Sequence, residues 1–301
     1  MKKYLKKNLA YYLFVFPAVL AFILVVAIPF ILGIIYSFTN WKGYASGSIN
    51  FIGLQNYVQS LQDNKFIYSV IITVIFGLLN FLFINLVSFS LALMVSSKLK
   101  GRNLYRTGFF VPNLVGGLVL GYIWQFIFNS IIPMVGSNIG NSFLANTYFL
   151  SNSKLAVVAL IFTSTWQYAG YIMMIYYTAL QGVSKDLIES SSLDGANYLQ
   201  RLKNIIIPSI MPAFTISLFL TLASSFQQYD VIVSLTGGGP AAIFNGQSVQ
   251  STELLAVNIY NTASVQNQMG QSQARAVMFF VALALISVLQ TSITKRKEIE
   301  S

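Results

Sequence analysis

Ionisable and hydrogen-bonding side chains are sparse in this 301-residue sequence, and those with usable spacing fall in three places. Residues 183–214 read VSKDLIESSSLDGANYLQRLKNIIIPSIMPAF and hold Asp186, Glu189 and Asp194, three of only eight acids in the chain. Lys185 to Leu193 lacks Gly and Pro and predicts a short helix, with Ser184 available as a cap and Asp186 favourable in the first turn. Gly195 suits the bend that follows. A second short helix is expected from 197 to about 206, and Pro208 and Pro212 then punctuate the chain. Two readings stand for this segment: a solvated hairpin at an interface, or a surface on which another protein docks.

The second set is hydroxyl, amide and aromatic. Thr221, Ser225 and Gln228 recur at i, i+4 and i+7, which is one face of a helix, with Tyr229 and Asp230 just beyond. Ser164, Tyr168 and Tyr171 share that spacing, with Trp166 and Gln167 nearby. Polar groups inside apolar segments face a bundle interior or a wet cavity. Ser and Thr also join helices to one another, and Tyr and Trp often sit at membrane interfaces. Asn80 and Asn85, in another apolar run, read as interhelical hydrogen bonders. The third set is Leu235 to Pro240, LTGGGP. A phosphate-cradling loop would need Lys-Ser or Lys-Thr after the glycines, with a strand before and a helix after. Pro240 stands there instead.

Several chemistries are excluded. Cys and His are both absent, so Cys/His zinc sites and Cys–His or Ser–His catalysis are impossible. A membrane enzyme would need acids or nucleophiles gathered at one depth, and the eight acids are scattered. No catalytic residue and no metal site is assigned. No GxxxxGK[ST] string occurs, so the chain does not itself hydrolyse ATP.

The elements that must position these residues are apolar. Hydrophobic residues make up 55% of the chain and charged residues 9%, against about 25% charged in soluble domains. Such a surface does not face water, and such hydropathy excludes disorder. The net charge of +10 falls in short clusters between apolar runs rather than as a stripe on a soluble fold, which argues against nucleic acid. Six segments are long enough to cross a bilayer: about 11–37, 67–96, 107–128, 155–180, 213–234 and 274–293. The first is too long for the apolar core of a cleaved signal peptide and is read as a permanent span. With the N-terminus inside, Lys2, Lys3, Lys6, Lys7, Lys98, Lys100, Arg102, Arg106, Lys185, Arg201, Lys203, Lys295, Arg296 and Lys297 lie inside. Only Lys42, Lys65 and Lys154 lie outside, and Arg275 starts the last span. This bias predicts both termini in the cytoplasm. The expected fold is an all-α polytopic bundle of six transmembrane helices forming one domain over 1–301. Trp41, Tyr44, Phe51 and Tyr57 in the first outer loop suit the headgroup region.

ESSSLDGA followed by IIIP resembles the signature loop of permease subunits of binding-protein-dependent ABC importers. Glu189, Asp194, Gly195, Ala196, Gln200, Ile205 and Pro208 stand at the family's positions. Ser190 and Ser191 replace two Ala, Ser184 stands where Pro is common, and Ile207 replaces Leu. LTGGGP and residues 51–66, FIGLQNYVQSLQDNKF, resemble the carbohydrate branch, the maltose, raffinose and multiple-sugar permeases. The resemblance covers nearly the whole chain, in order.

The resemblance implies a permease that moves a sugar or oligosaccharide across the cytoplasmic membrane of a bacterium. The loop 183–212 would couple it to ATP-binding subunits, through Glu189, Ser190, Ser191, Asp194, Gly195, Ala196 and Pro208, with Glu189 meeting a cationic side chain. The implied partners are a second homologous permease subunit, two ATP-binding subunits that hold ATP and Mg, an extracytoplasmic solute-binding protein, and membrane lipid. No cofactor would be bound by this chain. Aligning the loop places solute-contact positions at Ser164, Tyr168, Thr221, Ser225 and Gln228, and Tyr229 adjoins them. Hydroxyls and amides suit sugar edges, and aromatic rings suit sugar faces. Gly237, Gly238, Gly239 and Pro240 would touch the external receptor. A glycerol-phosphate permease would look similar but should show cations near the path, where Arg275 alone is a candidate. An ion-coupled carrier would show intramembrane carboxylates, broken helices and internal repeats, a combination the sequence does not display.

Overall fold

The computed structural model describes residues 2–43, 47–97 and 100–296, with side chains from Tyr11 onward. Tyr44, Lys98 and Lys297, and the side chains of Lys2, Lys3, Lys6 and Lys7, lie outside the described residues. The chain divides into two units: residues 1–63 with 259–280, and residues 64–258 with 281–301.

In the first unit, helix α1 (Tyr11–Tyr36) is long and apolar enough to cross a membrane. A short helix α2 (Gln55–Gln62) closes the first loop. Its Asn56 donates to the carbonyls of Ser37 and Thr39, 2.8 Å each. Trp41 packs on Tyr36 with ring centres 4.4 Å apart, and Tyr57 shares a 2.7 Å hydrogen bond with Ser37. Those two aromatics therefore serve the loop's own packing, while Phe51 is exposed.

The second unit is built on α3 (Asn64–Ser96) packed against α7 (Ser153–Gln181). Ser69, Thr73, Gly77, Asn80, Ile84, Ser88, Ala92 and Val95 are all buried and recur every three or four residues. Ile71, Val74, Ile75, Leu78, Leu82, Phe83 and Leu86 are exposed. Polar and small residues inside, with large apolar residues outside, are what lipid as solvent selects, because apolar burial drives no association there. Apolar side chains fill in between: Phe76, Leu120, Leu160, Ile232 and Leu235 at one level, and Ile84, Met173 and Tyr176 at another.

Two expected spans are divided. The stretch 107–128 is not one helix: α4 (Arg102–Leu114) ends before Gly116, and α5 (Gly117–Asn138) supplies the membrane-length helix, displaced by about ten residues. Pro112, which cannot donate a backbone hydrogen bond, and the Gly116–Gly117 pair explain the break. A short helix α6 (Ser142–Asn146) follows, where a loop was expected. The stretch 213–234 is divided too, into α10 (Met211–Phe226) and α11 (Asp230–Leu235), separated by Gln227–Tyr229. At 1.5 Å per residue α10 spans only about 24 Å, short of a hydrocarbon core of about 30 Å.

The stretch 183–212 forms two helices, α8 (Lys185–Leu193) and α9 (Tyr198–Ser209). A 73° bend at Ile210 separates α9 from α10. Three wider helical turns, Ile23–Ala27, Ile127–Ile131 and Leu202–Ile206, each end two residues before a proline: Pro29, Pro133 and Pro208. A widened turn lets the helix continue past a residue that has no N–H to give. After α11 an antiparallel hairpin, β1 (Ala241–Phe244) with β2 (Gln247–Gln250), is the one sheet among the described residues. Helix α12 (Leu255–Ser264) follows, and α13 (Met269–Lys295) contributes residues to both units.

Candidate functional site

The break in the fifth span makes a cavity. Gln227, Gln228 and Tyr229 leave the helix, and with Asp230 at the start of α11 they face Gln167 and Tyr168 of α7 and Gly117 at the start of α5. The cavity volume is about 320 Å³. Irregular backbone at membrane depth is tolerated where it lines a polar cavity, so the break and the cavity explain each other. Gln228 donates to Ser164 Oγ at 3.1 Å, and Gln167 donates to the Val115 carbonyl at 3.4 Å. The other amide oxygen, Gln167 Oε1, is buried without a partner. Among the residues that line this cavity Asp230 carries the only formal charge, and it is exposed.

Only part of the sequence-derived set reaches the cavity. Tyr168, Gln228 and Tyr229 line it. Ser164, Thr221 and Ser225 lie behind it, each 1% exposed or less. Asn85 donates to Thr221 at 2.7 Å and accepts from the Tyr176 hydroxyl at 2.8 Å, while Asn80 donates to Ser225 at 2.9 Å. Thr221 and Ser225 therefore bind α10 to α3. Gln227 was missed because nothing in Gln-Gln-Tyr signals a helix break. Gln167 and Asp230 were noticed only as neighbours.

The hairpin of α8 and α9 has a different surface. The predicted helix is present with Asp186 in its first turn, but Ser184 makes no side-chain cap. Its far end closes as a Schellman turn: Ala196 N–H reaches the Ser191 carbonyl at 3.0 Å, and Gly195 N–H reaches that of Ser192 at 3.2 Å. Gly195 has φ +81°, a conformation that side chains rarely adopt. Asn197 then caps α9 through a reciprocal pair with Gln200. Arg201 donates to the Ser192 hydroxyl, tying the two helices together. Glu189, Ser190, Asp194 and Gly195 are exposed, Ser191 is buried, and Ala196 and Pro208 are half-buried. Leu193 and Leu199 are 90% and 71% exposed beside them.

The tri-glycine turn is mostly covered. Thr252 donates through its hydroxyl to the Gly239 carbonyl at 2.7 Å and through its N–H to that of Gly238 at 2.8 Å. Gly237 is exposed, Gly238 is buried, and Gly239 and Pro240 are half-buried. The hairpin that follows projects instead, with Ile243 83% exposed.

Arg275 is 1% exposed in the first unit. It meets Asp63 at 2.6 Å, Thr262 at 2.7 Å and Ser60 at 3.3 Å. Among the described residues, no group of three or more Asp, Glu, His or Cys is placed to hold a metal ion.

The profile of the family described as "Binding-protein-dependent transport system inner membrane component" matches residues 84–299. The chain belongs to this family. As such a component it is a multi-pass membrane transport protein and not an enzyme. It is 40% identical over 298 residues to a probable starch degradation products transport system permease protein of Thermoanaerobacterium thermosulfurigenes, covering 99% of this chain and 98% of that one. It is 31% identical to a multiple sugar-binding transport system permease protein of Streptococcus mutans, over 90% of each chain. An sn-glycerol-3-phosphate transport system permease protein of Yersinia pestis is 30% identical over 83% of this chain and 82% of the relative. A bacterial ABC transporter involved in the import of the acidic polysaccharide alginate shares the fold, with a TM-score of 0.82, 20% identity and 98% of both chains covered.

Proposed function

We propose that this inner-membrane component is one of two homologous permease subunits in an ATP-driven importer for an uncharged sugar or oligosaccharide. The observation that carries the solute class is the cavity at the broken fifth span. Three glutamines and two tyrosines with one carboxylate suit hydroxyl edges and sugar faces, whereas a phosphate ester or uronate would meet Asp230 with no cation lining the cavity. Arg275, the cation that an anionic solute would have required, is engaged by Asp63. The glycerol-phosphate reading is therefore disfavoured, and the sugar reading agrees with the names of the relatives at 40% and 31% identity.

Both termini lie in the cytoplasm in this reading, and the hairpin of α8 and α9 inserts into a groove of an ATP-binding subunit. Glu189 supplies the charged contact, Leu193 and Leu199 the apolar one, and the Schellman turn at Gly195 makes the hairpin stiff enough to move as a body. ATP and Mg are held by the two ATP-binding subunits. ATP closes that pair, draws the two permease hairpins together and favours an outward-open cavity. This is a population shift driven by differential affinity for two states. A loaded extracytoplasmic solute-binding protein docks outside, through the tri-glycine turn Gly237–Pro240 and the β1–β2 hairpin beyond it, and releases its sugar. Hydrolysis restores the inward state.

The test is reconstitution of the complete transporter in liposomes with its solute-binding protein and internal ATP. Accumulation of labelled maltooligosaccharides that stops without ATP supports the reading. Accumulation of glycerol 3-phosphate but of no neutral sugar overturns it.

A further inference from the structure

A second cavity, about 590 Å³, opens between α4 and α7 away from the site described above. Its lining grades from polar to apolar, with Thr107 and the Tyr171 ring completing it. Asn103, Arg106 and Thr178 stand where the start of α4 meets the end of α7; Phe110, Met174 and Ile175 lie further in. The helices are held at this level by close packing at Gly170, where a Cβ would run into the Phe109 carbonyl. Arg106 is held but not neutralised. Its guanidinium lies 4.0 Å from the centre of the Tyr177 ring, and Nη1 reaches Asn103 Oδ1 at 3.3 Å. Nε is buried without a hydrogen-bond partner, and among the described residues Arg106 has no carboxylate within ion-pair distance. Lys100 and Arg102 precede it on the same short stretch. Leu104 and Leu114 on α4 are 76% and 70% exposed, as expected for a helix that lies among lipid chains.

We propose that this cavity is a binding site for an anionic phospholipid. The phosphate sits on the open side of the Arg106 guanidinium, beside Asn103, and one acyl chain lies along Phe110, Met174 and Ile175. Basic pockets at the membrane boundary between helices are suited to such headgroups. A planar guanidinium already oriented by a ring and an amide gives a phosphate two parallel donors. An apolar floor selects a phosphate that carries a hydrocarbon tail over one that does not.

The test uses the full chain, purified in mild detergent and read by native mass spectrometry for retained phosphatidylglycerol. Wild type is expected to keep the lipid through washing, and Arg106→Gln to retain it at least about fivefold less, since the charge-assisted contact is lost. Arg102→Gln, outside the cavity lining, should retain it as wild type does. Ile175→Trp fills the apolar half, leaves the cation in place and should also lose the lipid, which keeps the test open if Arg106→Gln does not fold. Equal retention in wild type and both cavity variants overturns the proposal. Displacement of the lipid by excess glycerol 3-phosphate overturns it in favour of a site for free phosphate esters. Displacement by maltotriose overturns it in favour of an extension of the solute path.

Discussion

Gln228 leaves the broken end of α10 and donates its amide to Ser164 on α7, 3.1 Å away, with both residues buried. That bond ties the break to α7 beside Gln227, Tyr229 and Asp230. Ser164 thereby acts on the cavity through Gln228 rather than by lining it. Leaving a buried polar group unpaired costs about 1–3 kcal/mol.

Gln228→Ala should therefore lower uptake efficiency about tenfold, mostly through KM, since a tenfold change corresponds to about 1.4 kcal/mol. Ser164→Ala should cost less, and the double variant no more than Gln228→Ala alone. Initial rates of labelled sugar uptake in proteoliposomes measure this. Fully additive effects would show that the two residues act separately.

Asp230 predicts a charge preference. Asp230→Asn should leave uptake of a neutral maltooligosaccharide within about threefold of wild type, whereas Asp230→Lys should retain the neutral sugar in the cavity less well and gain affinity for an acidic sugar, because a like charge is replaced by an opposite one. Equilibrium binding of a uronate-containing oligosaccharide to the detergent-solubilised transporter, without the solute-binding protein, reads the cavity alone. No gain in Asp230→Lys would remove this residue from solute selection.

Asn85 predicts the opposite profile. Its bonds to Thr221 and Tyr176 join α3, α10 and α7, and interhelical bonds of this kind in membranes are worth about 0.6–2 kcal/mol. Asn85→Ala should lower the thermal midpoint in detergent while KM stays near wild type. A large KM change at unchanged stability would place Asn85 on the solute path.

The buried pair Arg275–Asp63 should be costly to break and cheap to replace. Removing one partner from such a pair costs about 3–5 kcal/mol, while replacing both by apolar residues is often near neutral. Because Asp63 keeps some exposure, Arg275→Leu is expected near the lower end, and the double change to Leu at both positions should recover most of the loss. Thermal unfolding of the two variants compares them directly; equal destabilisation would mean that the pair does not act as a unit.

The membrane-helix architecture and the inner hairpin were legible because their signals are local. Apolar length marks α1, α3, α7 and α13, the Gly- and Pro-free run 185–193 followed by Gly195 marks α8, and the expected cap at Ser184 is not made. The broken spans were not legible as such. At 107–128 the apolar run continues through Gly116–Gly117, so hydropathy alone centres the span too early. At 227–229 no Gly or Pro announces the break, and the bond from Gln228 there to Ser164 is tertiary and cannot be read from local sequence. Thr221 and Ser225 have the spacing of a cavity face, but that face of α10 meets α3. Periodicity defines a stripe, and only packing decides whether the stripe meets solute or another helix.

In the proposed importer the hairpin around Glu189 and Gly195 is gripped from the cytoplasm by an ATP-driven subunit. The chain has no native cysteine, so a single Glu189→Cys substitution places one reactive thiol on that hairpin. In the assembled transporter a short bifunctional crosslinker should join this position to the ATP-binding subunit, with a yield that changes when ATP is added. A Cys at 189 that is labelled only from the outside, or that crosslinks to no subunit in the intact complex, would contradict the account.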